Sequence, residues 1–267
     1  MDFTARPELI AFYGDVVGEI PQLPTTCFSR SPAVPPMWAH YASNLQGFVL
    51  EIDEQRLSKI FPSSGFGDVD YQDEPSAAVA ENLYRAYAIG KFRYMHFLRR
   101  SVFSAAYYTK QSCWAYEKER RMIIDEADVR KLDGLTLLDV PTSYVKSIIC
   151  GPRAKDDLVN QLQKEAVKNS CGFFRMRIGR STGIPHFDSP SGQKFAFCDE
   201  KLSPVAATCR TCSEPIKADR THCSWCLIDD SHRQNAAQKN SFRLLDQYGI
   251  LGSYMEGIRA IESSNRR

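Results

Sequence analysis

Between Gly172 and Arg180 the chain reads GFFRMRIGR, an alternation of apolar and basic positions. On an extended strand, Phe174, Met176 and Ile178 share one face while Arg175 and Arg177 share the other. Just upstream, AKDDLVNQLQKEAVKNS changes to helical spacing and predicts an amphipathic helix over 154–169. Its Leu158, Leu162 and Val167 are expected to face a sheet, and its Asp, Gln and Lys residues water. Shorter apolar runs predict strands at TTCFS (25–29), FVLEID (48–53), DVDYQ (68–72), CWAYEKERRMIID (113–125), LTLLDV (135–140) and VKSIICG (145–151). PPMWAHYASN suits a helix opened by Pro36, with Gly47 available as a left-handed cap. EQRLSKIF suits a second, short helix. A long helical pattern runs from Ser76 to Tyr108, with Val79, Leu83, Tyr87, Phe92 and Phe97 as its apolar positions and Gly90 able to divide it. SPSGQK (189–194) reads as loop, and a final helix over 231–248 can extend through YMEGIRAIESS.

Helices and strands in this irregular order predict an α+β fold: a mixed sheet with packed helices, a small C-terminal zinc-binding module and a terminal helix. Strands 48–53, 113–124 and 145–150 are expected in one sheet, with helix 154–169 on it. A length of 267 residues allows one generous domain or a domain plus a small module. The expected division is a core over 1–195, a cysteine module over 196–230 and a helical segment over 231–267. With 43% hydrophobic residues the chain can fill a core, and a net charge of +2 argues against a dedicated nucleic-acid coat. No apolar run approaches the roughly 20 residues that cross a bilayer. The opening MDFTARPELI has no apolar signal core, so the expectation is a soluble, cytoplasmic protein with no membrane partner.

The nine cysteines divide into two groups. Cys27, Cys113, Cys150, Cys171 and Cys198 are scattered and read as small buried hydrophobes in a reducing compartment. The other four form Cys209-x2-Cys212, ten residues, then Cys223-x2-Cys226. Two such knuckles can aim four thiolates at one zinc, and a closed four-sulfur site leaves no position for a reactive water. The predicted role is structural, with His222 beside Cys223 a spare ligand. Arg210, Lys217, Arg220 and Arg233 lie in or near the module with Trp225, so a nucleic-acid or protein partner is a candidate.

The strand CWAYEKERRMIID carries unusual charge. Alternation puts Cys113, Ala115, Glu117, Glu119 and Arg121 on one face and Trp114, Tyr116, Lys118 and Arg120 on the other. Two neighbouring carboxylates, if enclosed, make a candidate acid–base or ribose-binding pair; a solvated strand end with Glu–Arg pairing is the bland alternative. No Gly-rich phosphate loop, HExxH or nucleophile elbow is present.

The order CFSRSPAVPPMWAHYASNLQGFVLEID, VDY, KQSCWAYEKERRMII and KSIICGP resembles the bacterial domain-of-unknown-function family numbered 2971, over about residues 25–178. That resemblance implies a compact α+β domain, sometimes encoded near defence genes, to which the cysteine tail is an addition. The Glu-x-Glu strand also resembles the way mono-ADP-ribosyltransferases present their catalytic glutamate, with CFSRS similar to their Ser/Thr-bearing strand. That resemblance implies NAD as substrate, with Glu119, Glu117 and His40 as catalytic candidates and Trp38, Tyr41, Trp114, Tyr116 and Arg121 as binding candidates. Two other classes stay open. Glu51, Asp53, Glu117 and Glu119 could hold magnesium for a nuclease, or Arg120 and Arg121 beside Trp114 and Tyr116 could serve a non-enzymatic binding module.

Overall fold

A computed structural model describes residues 6–264. The first five residues, part of the stretch read for a signal segment, and the last three lie outside the described residues. The chain divides into two compact units, one running to Ile178 and including Ile184–Pro204, the other formed by Gly179–Gly183 and the chain from Val205 on.

The first unit is α+β, and its elements in order are α1 (Pro7–Val17), β1 (Thr25–Ser29), α2 (Pro35–Tyr41), β2 (Phe48–Ile52), α3 (Glu54–Ile60), β3 (Gly65–Asp68) and β4 (Asp70–Tyr71). There follow α4 (Ala77–Ile89), α5 (Phe92–Tyr108), β5 (Thr109–Lys110), β6 (Glu119–Ile123), β7 (Arg130–Leu132), β8 (Leu135–Leu137) and β9 (Val145–Cys150). The unit closes with α6 (Asp156–Lys168), β10 (Gly172–Ile178), β11 (Pro185–Asp188), β12 (Lys194–Cys198) and β13 (Lys201–Pro204).

A six-stranded mixed sheet runs β13-β12-β11-β10-β9-β2, parallel at β9–β10 and antiparallel elsewhere. One face carries Trp38, Ala42, Ile149, Met176 and Phe187. The other meets α6 through Ile148, Cys150, Ala154, Leu162 and Ala166. A second, antiparallel sheet runs β1-β6-β3, its core being Leu57, Phe61, Met122 and Ile124. Helices α1, α4 and α5 close over Val17, Leu83, Ala86, Leu98 and Val102.

Several expectations change. Strand 113–124 does not join 48–53 and 145–150: β2 and β9 are neighbours, whereas β6 belongs to the other sheet. Nor does the strand begin at residue 113. Ser112–Glu117 is a 3-10 turn, and Lys118 takes a left-handed φ of 47°, so extended structure starts only at Glu119. On α6 the buried stripe is Leu162 and Ala166 with Leu158 packed beside it, while Val167 is 76% exposed. At about 100° per residue, nine residues beyond Leu158 is half a turn out of phase, so Val167 faces away.

Gly90 divides the long helical pattern as expected, with a left-handed φ of 67° at the end of α4. Tyr87, Phe92 and Phe97 nevertheless lie exposed, because Leu83, Ala86, Leu98 and Val102 take the core positions. After α2 it is Ser43, Asn44 and Leu45 that carry positive φ, not Gly47. Gly47 instead tucks against α2's end, where a Cβ would lie 3.0 Å from the Ala42 carbonyl oxygen. Of the scattered cysteines, Cys150 is buried and Cys171 half-buried, but Cys27, Cys113 and Cys198 are exposed.

In the second unit α7 (Asp230–Lys239), α8 (Ser241–Gln247) and α9 (Leu251–Ser264) follow the cysteine segment. The Asp229 side chain accepts from the His232 N–H, which fixes the start of α7. No helix among the described residues is long and apolar enough to cross a membrane.

Candidate functional site

The β1–β6 ladder pairs Thr25 with Ile123 at one end and Ser29 with Glu119 at the other. Beyond Ser29 the regular ladder stops, and one side-chain bond and one backbone bond continue the link. The Ser29 hydroxyl donates to the Glu117 carbonyl at 2.7 Å, and the Arg30 N–H to the Lys118 carbonyl at 3.0 Å. Alongside, β4 and β5 form a two-residue parallel pair with Tyr71 opposite Lys110. Tyr71 Oη accepts from the Glu119 N–H at 2.8 Å, and the Val69 N–H donates to the Glu119 carbonyl at 3.0 Å. The backbone around Glu119 is thereby held by two different strand pairs.

The left-handed turn at Lys118 still brings the two carboxylates together, through a cation that the sequence did not mark. Lys110 Nζ lies 3.0 Å from Glu119 Oε2 and bonds Glu117 Oε2 as well. Arg121 donates from Nε to Glu119 Oε1 at 2.6 Å and from Nη2 to Oε2 at 3.3 Å. Tyr41 Oη donates to Glu117 Oε1 at 3.0 Å. Glu117 is 2% and Glu119 5% exposed, so two carboxylates and two cations share a nearly dry centre. Removing charges from water is costly, and only this dense pairing offsets that cost.

Aromatic rings border the centre. Lys110 Nζ lies 5.0 Å from the Trp114 ring centroid, and Trp114 and Tyr116 are 6.0 Å apart. The His40 ring stacks on Tyr116 at 6.5 Å. Tyr41 is 66% exposed, so its hydroxyl links the buried Glu117 to the surface.

The electrostatics follow from the pairing. Burial acts to raise the Glu119 carboxyl, but hydrogen bonds from Arg121, Cys27 and Lys110 prevail and hold it at about 2. Burial likewise opposes the charge on Lys110, yet the Glu117 and Glu119 carboxylates hold its ammonium well above the ordinary lysine range. The Cys27 thiol is pushed up to about 11, first by local desolvation and then by the Glu119 carboxylate, although the residue as a whole is exposed. Cys27 is therefore a protonated donor to Glu119 and a poor nucleophile at neutral pH. The hydrogen bond to Glu117 raises the Tyr41 phenol.

Glu117, Glu119, His40, Tyr41, Trp114, Tyr116 and Arg121 thus gather as a group around Lys110. Trp38 does not: it is 1% exposed in the core, and its Nε1 donates to the Pro32 carbonyl at 2.7 Å. Arg120 points to the other face of β6, where it pairs with Glu54 at 2.6 Å and Asp68 at 3.3 Å. Glu51 lies in the six-stranded sheet and accepts from the Ser147 hydroxyl at 2.6 Å. Asp53 caps α3, accepting from the Arg56 N–H at 3.1 Å. Lys110 and Tyr71 escaped sequence reasoning because neither belongs to a spaced motif, whereas Ser29 lies in the CFSRS strand marked by resemblance. The weak cue for Lys110 was its place as the last cation before the aromatic–acidic stretch.

The second unit holds the four cysteines. The Cys209 N–H donates to the Glu214 carbonyl and the Ser213 N–H to the Cys209 carbonyl, each at 2.8 Å, with Ser213 in a left-handed turn. This tight knuckle turns Cys209 and Cys212 toward Cys223 and Cys226, and ligand atoms of all four lie within 4.8 Å of one another. They are the one cluster of three or more candidate metal ligands among the described residues. His222 lies outside it, with Nδ1 at 3.0 Å from the Thr221 hydroxyl. Glu214, 3% exposed, accepts from the Ser181 hydroxyl at 2.8 Å and from the Ser181 and Arg180 N–H groups. A Cβ on Gly179 would fall 1.8 Å from Glu214 Oε1, so a side chain there would displace this carboxylate from its hydrogen bonds. The cluster can hold a metal ion.

Residues 37–122 match the family described as protein of unknown function (DUF2971). The matched stretch runs from α2 into β6 and contains Tyr41, Lys110, Glu117, Glu119 and Arg121, while the cysteine cluster lies outside it. Comparison with curated proteins and with solved structures gave no significant match.

Proposed function

We propose that the Glu117–Glu119 centre is the active site of an NAD-consuming enzyme of the ADP-ribosyltransferase type, acting as transferase or glycohydrolase. The observation that supports this most is the pairing of a serine-bearing strand with the acidic strand, Ser29 opposite Glu119, beside a Glu117 carboxylate hydrogen-bonded to the exposed Tyr41. In this reading Glu119 is kept anionic by Arg121, Lys110 and Cys27 and faces the positive charge that develops on the ribose. The bond from the ribose C1′ to the nicotinamide nitrogen breaks, its electron pair leaving with nicotinamide. A water or acceptor nucleophile bonds C1′ and passes its proton to Glu117. Trp114 and Tyr116 flank a planar ring, and Tyr41 turns outward to admit the substrate.

The test is nicotinamide release from NAD by the parent, Glu117→Gln and Glu119→Gln, assayed well below each protein's melting temperature. Each loss of a placed charge is expected to lower turnover by roughly a hundredfold or more. Burial of Glu119 means that its variant will also melt earlier, so melting is recorded beside activity. Absence of NAD turnover, with no thermal shift on adding NAD, overturns the reading. A specific observation favours the binding-module alternative: both oxygens of Glu119 are already engaged, as expected of an ionic latch in a non-enzymatic module.

For the cysteine cluster we infer a structural zinc. Four sulfurs at about 2.3 Å from zinc in a tetrahedron lie about 3.8 Å apart. Cys212 Sγ and Cys223 Sγ stand at 3.7 Å. Against the cost of burial, backbone N–H donors lower the Cys209 thiol, while the neighbouring sulfurs and burial raise the Cys212 and Cys226 thiols, so the zinc reading rests on the sulfur spacing.

A further inference from the structure

A cleft of about 580 Å³ opens in the first unit against α5 and the β4–β5 pair. Its relation to the carboxylate centre follows from strand alternation. Tyr71 and Lys110 are register partners that reach toward Glu117 and Glu119, whereas their neighbours Asp70 and Thr109, also register partners, line the cleft. The two sites therefore lie on opposite faces of one two-stranded wall. From α5 the cleft receives Phe97, Arg100, Ser101, Ser104 and Tyr108, in the i, i+3, i+4, i+7 pattern of one helical face. The opposite face of α5 buries Leu98 and Val102.

Ser101 and Tyr108 donate their hydroxyls to the Leu98 and Gly65 carbonyls, but four other polar side chains here are unspent. Among the described residues Arg100 makes no ion pair or hydrogen bond, and the side chains of Asp70, Gln72 and Asn82 make none either. Asp68, also at the cleft, is already committed to Arg30 and Arg120. An unpaired guanidinium is a fork for a phosphate or carboxylate. A free carboxylate and two free amides facing the same space suit hydroxyl groups, and the 47% exposed Phe97 offers a flank for a ring's apolar face. A volume within the usual range for small-molecule sites accommodates both functions in one ligand. We propose that this cleft binds a small phosphorylated sugar, with the phosphate on Arg100 and the hydroxyls on Asp70, Gln72 and Asn82. The proposal stands independently of the NAD reading.

Titration calorimetry at low salt with ribose 5-phosphate, inorganic phosphate and ribose tests it. The parent is expected to bind ribose 5-phosphate more tightly than inorganic phosphate, and ribose weakest. Arg100→Gln should weaken ribose 5-phosphate roughly tenfold or more while melting like the parent, since Arg100 is exposed and unpaired. Asp70→Asn should weaken it several-fold, and Glu117→Gln should leave it unchanged. No binding by the parent, or equal binding by Arg100→Gln, overturns the site. Equal affinity for inorganic phosphate overturns the sugar assignment, and loss of binding in Glu117→Gln relocates the ligand and overturns the proposal.

Discussion

Replacing Lys110 with methionine removes the one cation shared by two buried carboxylates and keeps an unbranched stem beside Trp114. Arg121 is then the one cation at Glu119, beside the Cys27 thiol, and Glu117 keeps only the Tyr41 hydroxyl. Breaking a buried pair by removing one partner costs about 3–5 kcal/mol. Lys110 keeps 24% side-chain exposure, which admits some water and favours the lower end, about 3 kcal/mol. For a unit of this size that lowers the melting temperature by about 6–12 °C.

The effect carries a pH signature. Glu119 sits at about 2 in the folded chain against 4.5 for the free side chain. A depressed folded value contributes stability that is present above 4.5 and lost as pH falls toward 2. Loss of Lys110 removes one of the donors that depress it, so the deficit of Lys110→Met should be largest above pH 4.5 and close toward pH 2–3. Adding Glu117→Gln leaves one carboxylate against one guanidinium and should recover part of the loss. Thermal melts from pH 2 to 8 on the parent, the single variant and the double variant read all of this. A single variant that melts within 1 °C of the parent at pH 7, or a double variant less stable than the single, would refute the charge-balance argument.

Elemental analysis should find one zinc per chain, and less than about half an equivalent after gentle purification would count against the site; Cys212→Ser should abolish the metal while the first unit's melting stays unchanged. A Cβ at Gly67 would fall 2.4 Å from the Tyr108 ring, so Gly67→Ala should cost about 1–3 kcal/mol in denaturant unfolding. In a Tyr108→Ala background the same change should cost almost nothing, and an equal penalty in both backgrounds would reject the steric explanation.

Features set by contacts within one or two turns of chain were legible beforehand. Strand periodicity announced β1, β2, β9 and β10, and helical spacing announced α6. Gly90, free to take a positive φ, ended α4 where expected, and two knuckles with a short spacer were enough to mark the cysteine cluster. Glu117 and Glu119 stood out by their charge in an otherwise strand-like run. Their means of meeting did not: straight alternation predicted neighbours on one face, whereas a 3-10 turn and a left-handed Lys118 separate them and Lys110 rejoins them. That placement depends on β4 pairing with β5 and on β6 leaving the β2–β9 sheet for β1 and β3. Alternation states which faces a strand has and leaves open which neighbour covers each one. Partner choice is decided by the burial that the whole chain can achieve at once, which is why Trp38 went to the core and Lys110 to the two glutamates.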